Sequence, residues 1–159
     1  IMYYPVEAKR YETQTVLSNP ARVTTKESAP AVVVESDRVV NGQRMIKFNV
    51  KSTRNALNLW YTMTTSGQFQ TLKVDGKTIS TKPSNTWSII GQGIPTNGYT
   101  AEVGVSAGSN VDILVTDQTA SFPTDHALGL PPRPDTTFSW WPRGKQPDST
   151  LVTKSFSLK

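Results

Sequence analysis

Few side chains in these 159 residues could carry out chemistry: there is one histidine, His126, no cysteine, and 12 carboxylates. Cysteine nucleophiles and thiolate metal sites are therefore excluded. A Ser-His-Asp triad or a zinc site would have to be built on His126. Its surroundings, Pro123-Thr124-Asp125-His126-Ala127-Leu128-Gly129, offer neither metal-ligand spacing nor a nucleophile elbow, so it reads as a surface-loop residue. Gly91-Gln92-Gly93 runs into Ile94-Pro95, and the proline prevents the helix start on which a phosphate would sit. Paired carboxylates of the glycosidase kind are open to Glu35 with Asp37 and to Asp112 with Asp117. Asp117 closes a strand where turn chemistry favours Asp, and Glu35 and Asp37 sit near a hairpin, so turn and edge roles are expected for them. The chain is not expected to be an enzyme in its own right.

The elements that must position these groups are strands. In residues 44–51 the apolar Ile46, Phe48 and Val50 alternate with Lys47, Asn49 and Lys51, the pattern of a half-buried strand. Asn41-Gly42, whose residues both tolerate positive φ, turns residues 31–40 into it as a hairpin. Leu57, Leu59, Tyr61 and Met63 alternate in the same way. Ser66-Gly67 is expected to turn the chain into residues 69–74, and Asp75-Gly76 to turn it again into 77–80. Strands follow at 87–90, 99–105 (Tyr99, Ala101, Val103 and Val105 inward) and 111–116. No 3.6-residue stripe competes with them. The pattern predicts an all-β fold, an antiparallel two-sheet β-sandwich of jelly-roll or Ig-like kind.

Residues 117–148 differ: Pro123, Pro131, Pro132, Pro134, Pro142 and Pro147 forbid a central strand, so the segment reads as a long ordered arm across the sandwich. A C-terminal strand at residues 150–158, with Val152, Phe156 and Leu158 on one face, closes the chain. Residues 1–30 form a lead-in and edge strand, and 31–159 a single domain. The chain opens at Ile1, which suggests a piece of a longer polypeptide.

The net charge of +5 is uneven. The densest basic stretch, Arg38 to Arg54, with Arg44, Lys47 and Lys51, reads as the solvated face of a strand. It lacks interleaved stacking aromatics and any nucleic-acid motif, so nucleic acid is not an expected partner. An anionic membrane surface suits the cations better. The most unusual segment holds Phe138, Trp140, Trp141, Arg143 and Lys145. Neighbouring side chains on an extended chain point opposite ways, so at least one indole is expected to face outward, as a membrane or partner contact or a sugar-stacking platform. Arg54 and Arg133, with Asp135, are expected to clamp the arm, since guanidinium forks bind carboxylates and loop carbonyls.

Taken in order, Arg44-x-Ile46-x-Phe48-x-Val50-x-Ser52-x-Arg54, Val74-Asp75-Gly76-Lys77, Trp87, Gly129-Leu130-Pro131, Pro132-Arg133-Pro134-Asp135 and the terminal Leu151-Val152-Thr153-Lys154-Ser155-Phe156 resemble a known pattern. It is that of the C-terminal, non-catalytic, extracytoplasmic domain of membrane-embedded zinc metallopeptidases, the aminopeptidase-type family that includes the vacuolar membrane protease and the endoplasmic-reticulum metallopeptidase. The resemblance covers about residues 31 to 159. It implies a parent hydrolase whose zinc lies in another domain, with no catalytic residue, metal ligand or cofactor in this fragment. It implies tethering at the extracytoplasmic face of a membrane, with the parent's peptidase domain and the membrane surface as partners. The expected role is an accessory domain; an independent carbohydrate-binding or cell-surface adhesion module is the alternative. The oligomeric state is left open.

Overall fold

The computed structural model describes residues 2–3, 17–18, 27–119 and 150–159, and the chain divides into two compact units. In the unit of residues 1–27 and 120–150, β1 (Met2–Tyr3) pairs antiparallel with β2 (Leu17–Ser18). The segment with Phe138, Trp140, Trp141, Arg143 and Lys145 lies outside the described residues, as do His126, Arg133 and Asp135.

The unit of residues 28–119 and 151–159 is all-β among the described residues, and most of its strands follow from alternation in the sequence. β3 (Ala31–Val40) turns through Asn41 and Gly42, at φ 49° and 78°, into β4 (Gln43–Lys51). That conformation is what a two-residue hairpin turn between right-twisted strands requires. β5 (Asn58–Val74) turns through Asp75 and Gly76, at φ 48° and 77°, into β6 (Lys77–Ser80), and β7 (Ser84–Gln92) continues along the same edge of β5. β8 (Tyr99–Ser106), β9 (Val111–Thr119) and β10 (Thr150–Leu158) complete the set. The strand order is β10-β9-β5-β8-β4-β3, with β6 and β7 on the other side of β5.

β5 organises the sheet. Its first half pairs with β9 and its second half with β8, so one strand belongs to both limbs of a curled sheet. Ser66-Gly67, expected to be a turn between two strands, is instead the corner within this single 17-residue strand, where the register shifts. Thr65 Oγ1 donates to Asn110 O at 2.8 Å, Ser66 Oγ accepts from Asn110 N at 3.2 Å, and Thr65 Oγ1 accepts from Gly67 N at 3.2 Å. These bonds satisfy backbone groups that the corner removes from the ladder. Glycine is needed at 67 because a Cβ there would run into the Ser109 side chain. The two separate sheets of a sandwich thus appear as one hydrogen-bonded sheet, curled on itself.

The concave side is the core. Ile46, Phe48 and Val50 of β4, Leu59, Tyr61, Met63, Phe69 and Leu72 of β5, Ala101, Val103 and Val105 of β8, and Val111, Ile113 and Val115 of β9 are buried together. Phe48 meets Tyr61 edge to face at 6.5 Å although β4 and the first half of β5 are not paired, so the curl brings the limbs into contact. Trp87 stacks on Phe69 at 5.0 Å. Leu57, expected to share the inner face with Leu59, is 46% exposed, because it lies before β5 begins.

Candidate functional site

Two arginines hold opposite ends of the concave side. Arg54 lies in the β4–β5 connection, where Asn55 has φ 52°. It donates to Asp117 Oδ1 at 2.5 Å, and Ser52 Oγ donates to Asp117 Oδ2 at 2.6 Å. Ser52 Oγ in turn accepts from Arg54 N at 3.1 Å and Ala56 N at 3.3 Å, which fixes the loop that carries the arginine. The Asp117 side chain is wholly buried and that of Arg54 nearly so. Leu57 N to Gln118 O at 2.9 Å and Asn58 Nδ2 to Gln118 Oε1 at 2.9 Å complete the seam between the connection and β9. β9 runs on through Thr119, so Asp117 is a strand residue in a buried ion pair and not the turn residue that the sequence suggested. The sequence suggests Arg54 as a clamp on the Pro-rich arm, whose Arg133 and Asp135 lie outside the described residues; among the described residues the carboxylate it grips is Asp117 on β9.

The second arginine was misplaced by sequence reasoning, which set Arg44 on a solvated face. It is buried, in phase with Ile46, Phe48 and Val50. Its guanidinium forks onto Asp37 (Nε to Oδ1 2.9 Å, Nη2 to Oδ2 2.5 Å) and donates to the carbonyl oxygens of Ser109 at 2.7 Å, Lys159 at 3.0 Å and Leu158 at 3.4 Å. One planar fork thereby ties β3 and β4 to the β8–β9 turn and to the end of β10. The Arg44 guanidinium holds the Asp37 carboxyl below the usual carboxylate range, against the opposing effect of burial. The sequence signal that finds Arg44 is parity: a two-residue step from Ile46 puts it on the core side.

The convex side carries paired charges. Lys47 lies opposite Glu102 across β4 and β8, and Glu102 opposite Lys73 across β8 and β5. Glu35 binds Lys47 at 2.8 Å and Glu102 binds Lys73 at 3.1 Å. The Glu35 carboxylate holds the Lys47 ammonium above its ordinary pKa. Beside this row is an open groove of about 460 Å³, lined by Ser36, Arg38 and Val40 of β3, Met45 and Lys47 of β4, and Glu102 of β8.

The carboxylate pairs considered from sequence do not assemble into a hydrolytic dyad. Glu35 is engaged by Lys47 and Asp37 by Arg44. Asp112 is exposed and Asp117 is buried five residues along the same strand, about 17 Å away at strand rise. Among the described residues, no three His, Cys, Asp or Glu side chains come together as a metal site, and no helix is long and apolar enough to cross a membrane. No protein-family model, no curated protein and no solved structure matches this chain.

Proposed function

We propose that this chain is a non-catalytic accessory domain of a membrane-bound zinc-dependent peptidase, packing on the peptidase domain or on the membrane surface at its extracytoplasmic side. The observation that supports this reading best is the use made of charge. Arg44, Asp37, Arg54 and Asp117 hold the curled sheet closed, while the outer face offers an open groove lined by both polar and apolar side chains. We read the curled sheet as a β-sandwich of jelly-roll or Ig-like kind, its limbs standing in for two sheets that share β5. The contact with membrane or partner is assigned to Phe138, Trp140, Trp141, Arg143 and Lys145, on the sequence argument that indoles beside cations suit an interface.

The test is flotation of the 159-residue chain with vesicles of phosphatidylcholine and phosphatidylserine, beside an aminoacyl reporter assay with and without added zinc. The expected result is vesicle binding weakened by Trp140→Ala and Trp141→Ala, and no turnover. Saturable binding to a glycan array, lost in the same variants, would replace this reading with a carbohydrate-binding module. Turnover would contradict it outright.

A further inference from the structure

β3 ends the sheet and pairs only with β4 among the described residues. A ten-residue edge with open backbone groups is a template for another strand. This one carries four of the nine large apolar side chains exposed among the described residues: Val33, Val34, Val39 and Val40. The segment Val33-Val34-Glu35-Ser36-Asp37-Arg38-Val39-Val40 is also complementary to itself when reversed. Set antiparallel against a second copy, Val33 meets Val40, Val34 meets Val39, and Glu35 meets Arg38. Two-fold symmetry repeats each pair, giving four valine pairs and two ion pairs. We infer that β3 is a dimerisation strand, pairing antiparallel with β3 of a second copy in this register.

The β-bulge in β3 makes the register workable. In a regular strand, residues separated by an odd number of steps face opposite sides of the sheet, so Val33 and Val40 would not share a face. The irregularity between Val34 and Ser36 inserts one residue and reverses the alternation. Val33 is opposite Asn49, Val40 opposite Gln43 and Arg38 opposite Met45, all convex-side positions of β4, and the bulged Glu35 binds Lys47 on that side. Val34 is opposite Phe48 and Val39 opposite Arg44, both concave-side positions. The two members of each valine pair and of each Glu35–Arg38 pair therefore share a face, convex for Val33–Val40 and Glu35–Arg38 and concave for Val34–Val39.

Backbone direction agrees. Val40 and Gln43 flank a two-residue turn and so bond to each other, which turns the N–H and C=O of Val39 toward the free edge. Val34, opposite the alternate ladder position Phe48, also turns its groups outward, so Val34 and Val39 of the two copies can exchange hydrogen bonds. Arg38 is exposed and makes no ion pair among the described residues, leaving its guanidinium open to Glu35 of the second copy. Bulges and charges ordinarily protect an edge from strands at large; here they admit a matching one. The strand is only about 34 Å long, and a single strand pair buries less area than a standard interface, so the dimer is of modest affinity and concentration-dependent.

Sedimentation velocity of the 159-residue chain over a concentration series tests this, with circular dichroism to show that variants fold. The wild type should pass from monomer to dimer. Arg38→Glu sets glutamates against each other and should weaken the dimer about tenfold or more. Adding Glu35→Arg to Arg38→Glu reverses each ion pair and should restore dimerisation. Val39→Lys alters an exposed side chain outside the core and should abolish the dimer; it decides the matter if the charge variants misfold. A wild type that remains monomeric near millimolar concentration overturns the proposal and leaves the edge to a strand of another protein. So does a dimer indifferent to both Arg38→Glu and Val39→Lys, or a double variant no tighter than Arg38→Glu alone.

Discussion

Arg44 and Arg54 each grip one aspartate at 2.5 Å, yet their surroundings differ: the Asp37 side chain is 34% exposed and that of Asp117 is 0% exposed. Arg44 also spreads its donors over three carbonyls on other elements, whereas Asp117 shares its two oxygens between one arginine and one serine. The contrast separates two uses of one interaction. At the Asp117 end a carboxylate with no access to water must be matched by a cation, so its partner is obligatory. At the Asp37 end water substitutes for part of the pair, and the arginine acts mainly as a bracket across the opening of the curl.

Breaking the buried end should have the largest effect. Asp117→Ala leaves the Arg54 guanidinium without its buried carboxylate and is expected to cost about 3–5 kcal/mol, read as a fall in the urea midpoint or outright loss of fold. Asp37→Ala should cost only about 1 kcal/mol, because solvent screens the pair and Arg44 keeps its carbonyl partners. The same pair carries a pH signature. The folded-state pKa of Asp37 is lowered, so its contribution is present above the unfolded value near 4 and fades as pH falls through the folded one. The stability gap between wild type and Asp37→Asn should therefore shrink on acidification below about pH 4.

Tyr61 sharpens the comparison as a buried polar group: its ring is in the core and its hydroxyl makes no hydrogen bond among the described residues. Tyr61→Phe removes that unsatisfied hydroxyl and is expected to stabilise the fold by up to about 1 kcal/mol. Burial raises the Tyr61 pKa, with Asp75 and Tyr99 adding to the shift. The protonated form is thus favoured in the fold, and stability held below the unfolded pKa is lost as pH rises past about 10. That alkaline loss should be smaller in Tyr61→Phe. At the exposed extreme, Lys47→Ala removes the Glu35 partner on the convex side and should leave the urea midpoint unchanged within error.

Strand positions were legible because alternation is local. Residues 31–40 and 150–158 have the bounds that the pattern predicts, and the Asn41-Gly42 and Asp75-Gly76 turns have the positive φ values that their residue types favour. The corner at Ser66-Gly67 was read as a turn because Ser-Gly signals a break in direction. Whether that break ends the strand or bends it depends on β9 and β8 taking up the same edge in succession, which is non-local. Arg44 was obscured by its type: a charged residue in a basic run reads as solvated, although its parity with Ile46 sets it on the core side. Asp117 was obscured by position, since an Asp near a strand end is usually a turn former and its partner lies 63 residues earlier. The fork geometry of Arg54 suggests a clamp on the Pro-rich arm, which lies outside the described residues; that Arg54 also grips Asp117, 63 residues away, is decided by the fold.

A double-mutant cycle on Arg54 and Asp117, with Arg54→Met, Asp117→Leu and the combined variant unfolded in urea, tests most directly whether buried charge here serves the architecture. If the pair is an obligatory match, each single variant is strongly destabilised and the double loses clearly less than the two singles added together. Losses that simply add would show that the two side chains act independently and would contradict the account.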